Sequence, residues 1–261
     1  MNLSYLIKRN TKRTVFAFLL CCVCIFVNAQ TVWNKTYIED RPSMQYTSIV
    51  EADSGYNLIG VTVNKTSPYY EQALTLVTDK NGFVIRYKAN PDTININTGL
   101  FWNTLIKNDK NEFAFTGYGR DTVQHLVFGF LNNSFDSIKI FRYYTDSTFA
   151  FQGLSLIQYD NNTYYVAGGH NSKLGQNSNA VLIKIDSNGN RCWQKYYDRA
   201  KADFAESITK LSNGNLLIGA HSSDLNQTNE RSNTWLIEVD TGGTVVRQWL
   251  DTNDSTYVAE G

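Results

Sequence analysis

An all-β protein assembled from four-stranded antiparallel units is the fold class this sequence predicts, on three observations. One pattern runs four times through residues 44–253: an aromatic or apolar strand, a polar turn, a short strand ending in glycine, a polar loop, a third strand, a tight turn and a last strand. The glycines closing the second strands, Gly60, Gly117, Gly168 and Gly219, are spaced 57, 51 and 51 residues apart. A second ruler agrees with the first: Asp79, Asn132, Asp186 and Asp240 each follow a third strand, at intervals of 53, 54 and 54 residues. Self-similarity at such a period marks a stack of supersecondary units.

Each element has its own local reason. Third strands such as Leu74-Thr75-Leu76-Val77 and Val181-Leu182-Ile183-Lys184-Ile185 are rich in β-branched and apolar residues, which suit a pleated, buried surface. In three copies the turn that follows is Asp79-Lys80-Asn81-Gly82, Asp186-Ser187-Asn188-Gly189 or Asp240-Thr241-Gly242-Gly243. There Asn and Gly are expected to supply the positive φ of a primed hairpin turn. The second copy is degenerate at this point, with Asn132-Asn133-Ser134. Each copy ends in an aromatic and basic strand: Ile85-Arg86-Tyr87-Lys88, Ile140-Phe141-Arg142-Tyr143, Cys192-Trp193-Gln194-Lys195-Tyr196 and Val246-Arg247-Gln248-Trp249. No segment keeps a helical period. The three prolines, Pro42, Pro68 and Pro91, fall outside the predicted central strands, where a missing amide donor is costly.

Four short strands per unit describe the blade of a β-propeller. The expected architecture is a β-propeller of four-stranded antiparallel blades at about 44–92, 93–149, 150–203 and 204–253, with the start of a fifth unit at 254–261, so that the sequence is read as a piece of a longer one. Val32-Trp33-Asn34-Lys35-Thr36-Tyr37 has the character of Trp193-Gln194-Lys195-Tyr196, a last strand without the first three. Residues 30–43 are therefore read as an N-terminal closing strand and linker that complete the final blade and cover its edge. The copies Tyr46 to Ala89, Phe151 to Tyr197 and Phe204 to Leu250, with their strand-Gly, Asp-turn-Gly and Trp-Lys-Tyr order, resemble secreted bacterial β-propeller repeats. Proteins of that kind are often large, are exported across the outer membrane, and in some cases end in a type IX secretion sorting domain. No segment of this sequence matches such a domain.

The N-terminus carries its own signal. Lys8, Arg9, Lys12 and Arg13 precede an apolar run from Val15 to Val27, and Val27 and Ala29 sit where a signal peptidase prefers small residues. The run is shorter than the roughly 20 residues a membrane-spanning helix needs. Residues 1–29 are therefore expected to be a signal peptide cleaved before Gln30, leaving no integral membrane segment. Lipidation at Cys21 or Cys24 is disfavoured by the bulky Leu20 and Val23 before them. The mature chain is expected to be secreted or on the outer cell surface, with the periplasm as the alternative. It keeps one cysteine, Cys192, so no intrachain disulfide is possible and burial must hold the fold. The signal takes four of the 24 basic residues and no acidic one, leaving 20 Lys and Arg against 24 Asp and Glu. That balance argues against a nucleic-acid partner.

The chemistry-bearing residues are few. His170 and His221 hold equivalent places two residues after strand glycines, but the matching residues elsewhere are Thr62 and Gly119, and no carboxylate or Cys recurs beside them to complete a metal site. Asp186-Ser187-Asn188-Gly189-Asn190 has calcium-loop character, yet the Glu that ends a twelve-residue calcium loop is replaced by Tyr197. Asp203 and Glu206 form a possible acid–base pair for glycoside cleavage, weighed against two solvated loop carboxylates. Tyr69-Tyr70, Trp102, Tyr143-Tyr144, Tyr164-Tyr165 and Trp235 are read mostly as interblade core, with any exposed ones able to stack on sugar rings. Cys192, inside a strand beside Trp193, is expected to be buried and inert. No cofactor, metal or catalytic residue is assigned, and the ligand-binding residues are not specified. The expected role is non-catalytic binding or scaffolding with a glycan or surface protein as partner. The alternative is part of a propeller enzyme acting on polysaccharide, its site completed by further sequence.

Overall fold

The structure is a computed structural model. It describes residues 44–64, 70–89, 96–97, 104–120, 123–145, 149–172, 177–223 and 232–251, all within the compact unit Ile38–Gly261. Residues 1–29, expected to be a signal, residues 30–43, expected to be a closing strand, the segment 254–261, Tyr69, Trp102 and the three prolines lie outside the described residues. Every described element is a strand, and no helix among them is long and apolar enough to cross a membrane.

Four antiparallel meanders follow one another. The first runs β1 (Met44–Ala52), β2 (Gly55–Asn64), β3 (Tyr70–Asp79) and β4 (Val84–Ala89), paired in that order. In the second, β5 (Ile96–Asn97) and β6 (Leu105–Lys107) both pair with β7 (Phe113–Arg120) and share the place of a first strand, with β8 (Gln124–Leu131) and β9 (Ile138–Tyr143) beyond. The third holds β10 (Phe149–Asp160), β11 (Thr163–Ser172), β12 (Ser178–Asp186) and β13 (Arg191–Tyr197). The fourth holds β14 (Ala202–Lys210), β15 (Leu216–Ser223), β16 (Ser232–Val239) and β17 (Val245–Leu250). One parallel bridge, Ser178 opposite Ala202, joins the third and fourth meanders into a continuous eight-stranded sheet.

Both faces of the inner meanders are buried, which is why their third strands read as unbroken apolar runs. Along β11, Tyr164 and Val166 enter a core shared with the second meander, while Tyr165 and Ala167 enter one shared with the fourth. On β12, Val181, Ile183 and Ile185 take the first side, and Ala180 and Leu182 the second. A third core, with Phe113, Phe115 and Val127, meets Ile59 of the first meander. The period-two alternation of a strand thus distributes one sequence between two interfaces. Among the described residues, the strong packing joins sequence neighbours, and none of comparable extent joins the first meander to the fourth.

At Gly60 and Gly168 the glycine ruler has a backbone cause. β1 shifts register after Tyr46, which faces Gly60, and β10 shifts after Gly153, which faces Gly168. A Cβ at Gly60 would stand 2.0 Å from the Gln45 carbonyl oxygen, and one at Gly168 2.0 Å from that of Gln152. The first strand bulges over the second, and only a residue without a side chain fits beneath.

The turn ruler is built differently from the primed turns expected. Asp79 Oδ1 accepts the amides of Asn81 and Phe83 at 2.8 Å each, and Gly82 donates its amide to Asp79 O at 3.0 Å. Asp186 and Asp240 repeat this arrangement. Only the glycines have positive φ: 77° at Gly82, 87° at Gly189 and 79° at Gly243. The register shifts just before each turn. This is a turn followed by a left-handed bulge residue, in which Asn need not adopt positive φ. The second copy keeps the device through Phe135 (φ 56°), whose amide donates to Asn132 O at 2.9 Å. Its ring is buried against Phe113, with centroids 4.9 Å apart, so packing offsets the strain of a non-glycine residue there.

These turns also receive the neighbouring meander. Tyr143 Oη donates to Gly189 O at 2.8 Å, and 54 residues later Tyr197 Oη donates to Gly243 O at 3.0 Å. Burial pushes both phenols well above their ordinary range, so they remain donors.

Glu238 on β16 supplies a pH-dependent tie. Its carboxylate accepts Asn215 Nδ2 at 2.7 Å, Arg247 Nε at 2.5 Å and Asn213 Nδ2 at 3.0 Å. These bonds, Asn215 first, lower its pKa from 4.5 to about 2. Because the folded value lies below the unfolded one, the stabilisation is complete above pH 4.5 and fades as pH falls towards about 2. Urea denaturation should therefore find Glu238→Gln less stable than wild type at pH 7, with the gap closing through that window. A pH-independent gap would show that ionisation of Glu238 contributes nothing.

Candidate functional site

The two histidines singled out by repeat position do occupy equivalent places. His170 faces Phe151 across β10 and β11, and His221 faces Phe204 across β14 and β15. Their rings lie 6.0 and 5.0 Å from those phenyl groups. The third histidine, His125, completes the series from another strand. It lies on β8 directly opposite Gly119, the second copy's counterpart of His170, and a Cβ at Gly119 would stand 2.3 Å from its Nε2. The imidazole fills the space that the glycine leaves. Its position on a different strand hides it from a ruler that reads one strand at a time.

The structure does not unite Asp203 and Glu206 around a common site. Asp203 is buried and its Oδ2 accepts the amides of Arg199 at 2.6 Å and Ala200 at 2.9 Å, holding the connection from β13 to β14. Oδ1 has no partner among the described residues. Glu206 Oε1 lies 2.8 Å from His221 Nδ1, both side chains about one-third exposed. Asp186, the best calcium candidate, has its carboxylate occupied by the Asn188 and Asn190 amides and by Asn190 Nδ2. Those bonds, the Asn190 side chain first, hold its pKa below the usual value. Among the described residues, no three His, Cys, Asp or Glu side chains come together as a metal site.

Cys192 corrects an expectation: it is exposed. Trp193 faces Lys184 and Arg191 faces Ile185, so Cys192 is the extra residue of a bulge and the sheet does not turn its thiol inward.

Of the paired aromatics, Tyr164 and Tyr165 are core, as is Trp235. Tyr143 and Tyr144 part company: Tyr143 is buried in the interface, whereas Tyr144 is 43% exposed. Tyr144 lines a cleft of about 630 Å³ with His170, Asn179, Arg191, Gln194 and Tyr196. Tyr196 is 45% exposed. A hydrogen-bond chain follows β13, from Arg191 Nη1 to Gln194 Oε1 at 2.9 Å and from Gln194 Nε2 to Tyr196 Oη. The Tyr196 ring lies 4.9 Å from that of His170, and the Tyr144 ring 4.6 Å from that of His125. No Asp or Glu is among the described residues that line the cleft. In the sequence, Tyr196 and Gln194 belong to an aromatic and basic last strand and Tyr144 to an aromatic pair read mostly as core, whereas Arg191 belongs to no motif.

No protein-family model and no curated protein matches the sequence. Among solved structures, an endo-arabinase from Bacteroides thetaiotaomicron is similar at 10% identity and a TM-score of 0.40, over 71% of this chain and 72% of that one. An alpha-L-arabinofuranosidase from Clostridium thermocellum is similar at 12% identity and 0.42, over 80% and 73%. A protein of unknown function from Bacteroides caccae is similar at 12% identity and 0.32, over 84% and 85%. Likenesses this distant carry no argument about what the chain binds or does.

Proposed function

We propose that this chain is a secreted or cell-surface β-propeller module, each meander a blade, that binds or scaffolds a glycan or protein ligand without catalysing a reaction. The 30–43 segment is its closing strand, and residues 1–29 are removed on export. One observation carries the non-catalytic reading: the residues able to do acid–base or metal chemistry serve the meanders that hold them. Asp203 caps a connection, Asp186 closes a turn, and His170 packs between Phe151, edge-on, and Tyr196. What recurs from copy to copy is scaffold: bulge glycines, turn acids and interface aromatics.

The alternative, part of an enzyme acting on polysaccharide, has the Glu206–His221 pair in its favour, a carboxylate and an imidazole 2.8 Å apart and partly exposed. The exported full-length protein, screened against a polysaccharide panel for both retention and hydrolysis, decides between them. Retention without turnover is expected. A turnover that falls by about a hundredfold or more in Glu206→Gln, the scale of losing a general acid or base, would establish the enzyme instead.

A further inference from the structure

We infer that the cleft between Tyr144 and Tyr196 binds an acidic saccharide, its negative group a carboxylate or a sulfate held by Arg191, an assignment that rests on the binding-module reading above. Among the described residues that line the cleft, Arg191 is the only one of fixed charge. Its hydrogen bond runs to a neutral group, Gln194 Oε1, and among the described residues no carboxylate lies within ion-pair distance of it. A guanidinium has five N–H donors in a planar fork. One bond to Gln194 fixes the plane and leaves donors for the two oxygens of a carboxylate or sulfate, the bidentate geometry that distinguishes arginine from lysine. A guanidinium with no ion-pair partner among the described residues, in a cleft whose described lining holds no acid, favours an anion.

The remaining groups specify a sugar. A pyranose presents a face of polarised C–H groups that stacks on the electron-rich face of an aromatic ring, and Tyr144 and Tyr196 are each nearly half exposed. Neither ring has to be ordered on binding. Tyr196 is held by Gln194 and packed on His170, and Tyr144 is packed on His125, which lowers the entropic cost of association. Asn179, on the same lining, places an amide beside the two rings. A cleft of about 630 Å³ falls within the roughly 300–1,000 Å³ usual for small-ligand sites.

Isothermal titration of the full-length protein with trigalacturonate, with its methyl ester, and with a sulfated disaccharide tests the assignment. Binding of at least one acidic probe is expected, with trigalacturonate and the disaccharide distinguishing carboxylate from sulfate. Arg191→Gln should weaken that binding by about tenfold or more, the equivalent of one charge-assisted hydrogen bond, and Tyr196→Ala should weaken it comparably. Lys195→Gln, which removes the same charge from the same strand outside the cleft, should change it less than twofold. The ester arm needs no variant, and circular dichroism confirms that Arg191→Gln, an exposed substitution, is folded. Absence of binding by both acidic probes, equal affinity for the methyl ester, or indifference to Arg191→Gln would each overturn the inference while leaving a binding module for other ligands. Cleavage of trigalacturonate with affinity still dependent on Arg191 would overturn the non-catalytic reading and uphold the cleft.

Discussion

Replacement of Phe128 by alanine is expected to destabilise the protein by about 3–5 kcal/mol, the range for a fully buried aromatic truncated where its surroundings cannot collapse. Phe128 is inaccessible to solvent and stands on β8 with neighbours on both sides of the interface: Phe130 at 5.0 Å, Phe141 at 6.2 Å and Tyr164 at 5.3 Å between ring centroids. β8 is hydrogen-bonded along both edges, to β7 and to β9. The strand therefore cannot shift to fill the void without breaking its ladders. The loss is a large part of the roughly 5–15 kcal/mol that a folded domain has in total. Phe83→Ala provides the contrast, since that ring is 59% exposed and surface changes usually stay within about 0.5 kcal/mol. Urea midpoints at constant slope measure both. A cost below about 1 kcal/mol for Phe128→Ala would mean that the second and third meanders are not packed as described.

The second large effect separates two glycines that the sequence makes equivalent. Gly168→Ala is expected to cost about 3 kcal/mol and Gly219→Ala about 1 kcal/mol, within the range for forcing atoms into filled space. At Gly168 the added carbon meets a backbone oxygen, that of Gln152, at 2.0 Å, with the Gln152 carbonyl carbon and Gly153 Cα close behind. Relief requires the β10 bulge to move. At Gly219 the nearest atom is Ser207 Oγ at 2.4 Å, followed by Ser207 Cβ at 3.8 Å, and a hydroxyl can rotate away. Thermal or urea denaturation of the two variants side by side is the measurement. Equal costs would show that the bulge backbone is as yielding as a serine rotamer.

The all-β class and the four-fold repetition were legible because they rest on local constraints that leave a mark at fixed spacing. A backbone that passes over a neighbour demands glycine, and a turn that needs two amides capped demands Asp or Asn. Less legible was anything settled by packing. Asn132-Asn133-Ser134 reads as a degraded turn because the residue that takes the left-handed position is Phe135, which no turn rule favours; it is tolerated because the ring is buried against Phe113. Cys192 reads as buried because it lies inside a strand beside Trp193, and the bulge at that residue takes it out of the ladder. The cleft was hidden for a different reason. Tyr144 lies just beyond β9 of the second meander, while Arg191, Gln194 and Tyr196 lie on β13 of the third. A site made from different units shows no spacing of its own, and a repeat analysis, which looks for what recurs, passes over Arg191 because it does not recur.

The confinement of strong packing to sequence neighbours gives the molecule the statistics of a one-dimensional lattice, with each meander a site and each interface a coupling between adjacent sites. Among the described meanders, an inner one has two such couplings and an outer one has one. The single parallel bridge at Ser178 and Ala202 adds little to the third coupling, whose strength lies in the cluster around Tyr165, Trp235 and Ile237. Native-state hydrogen exchange would then find the slowest amides in β8, β11 and β12, on the meanders packed from both sides.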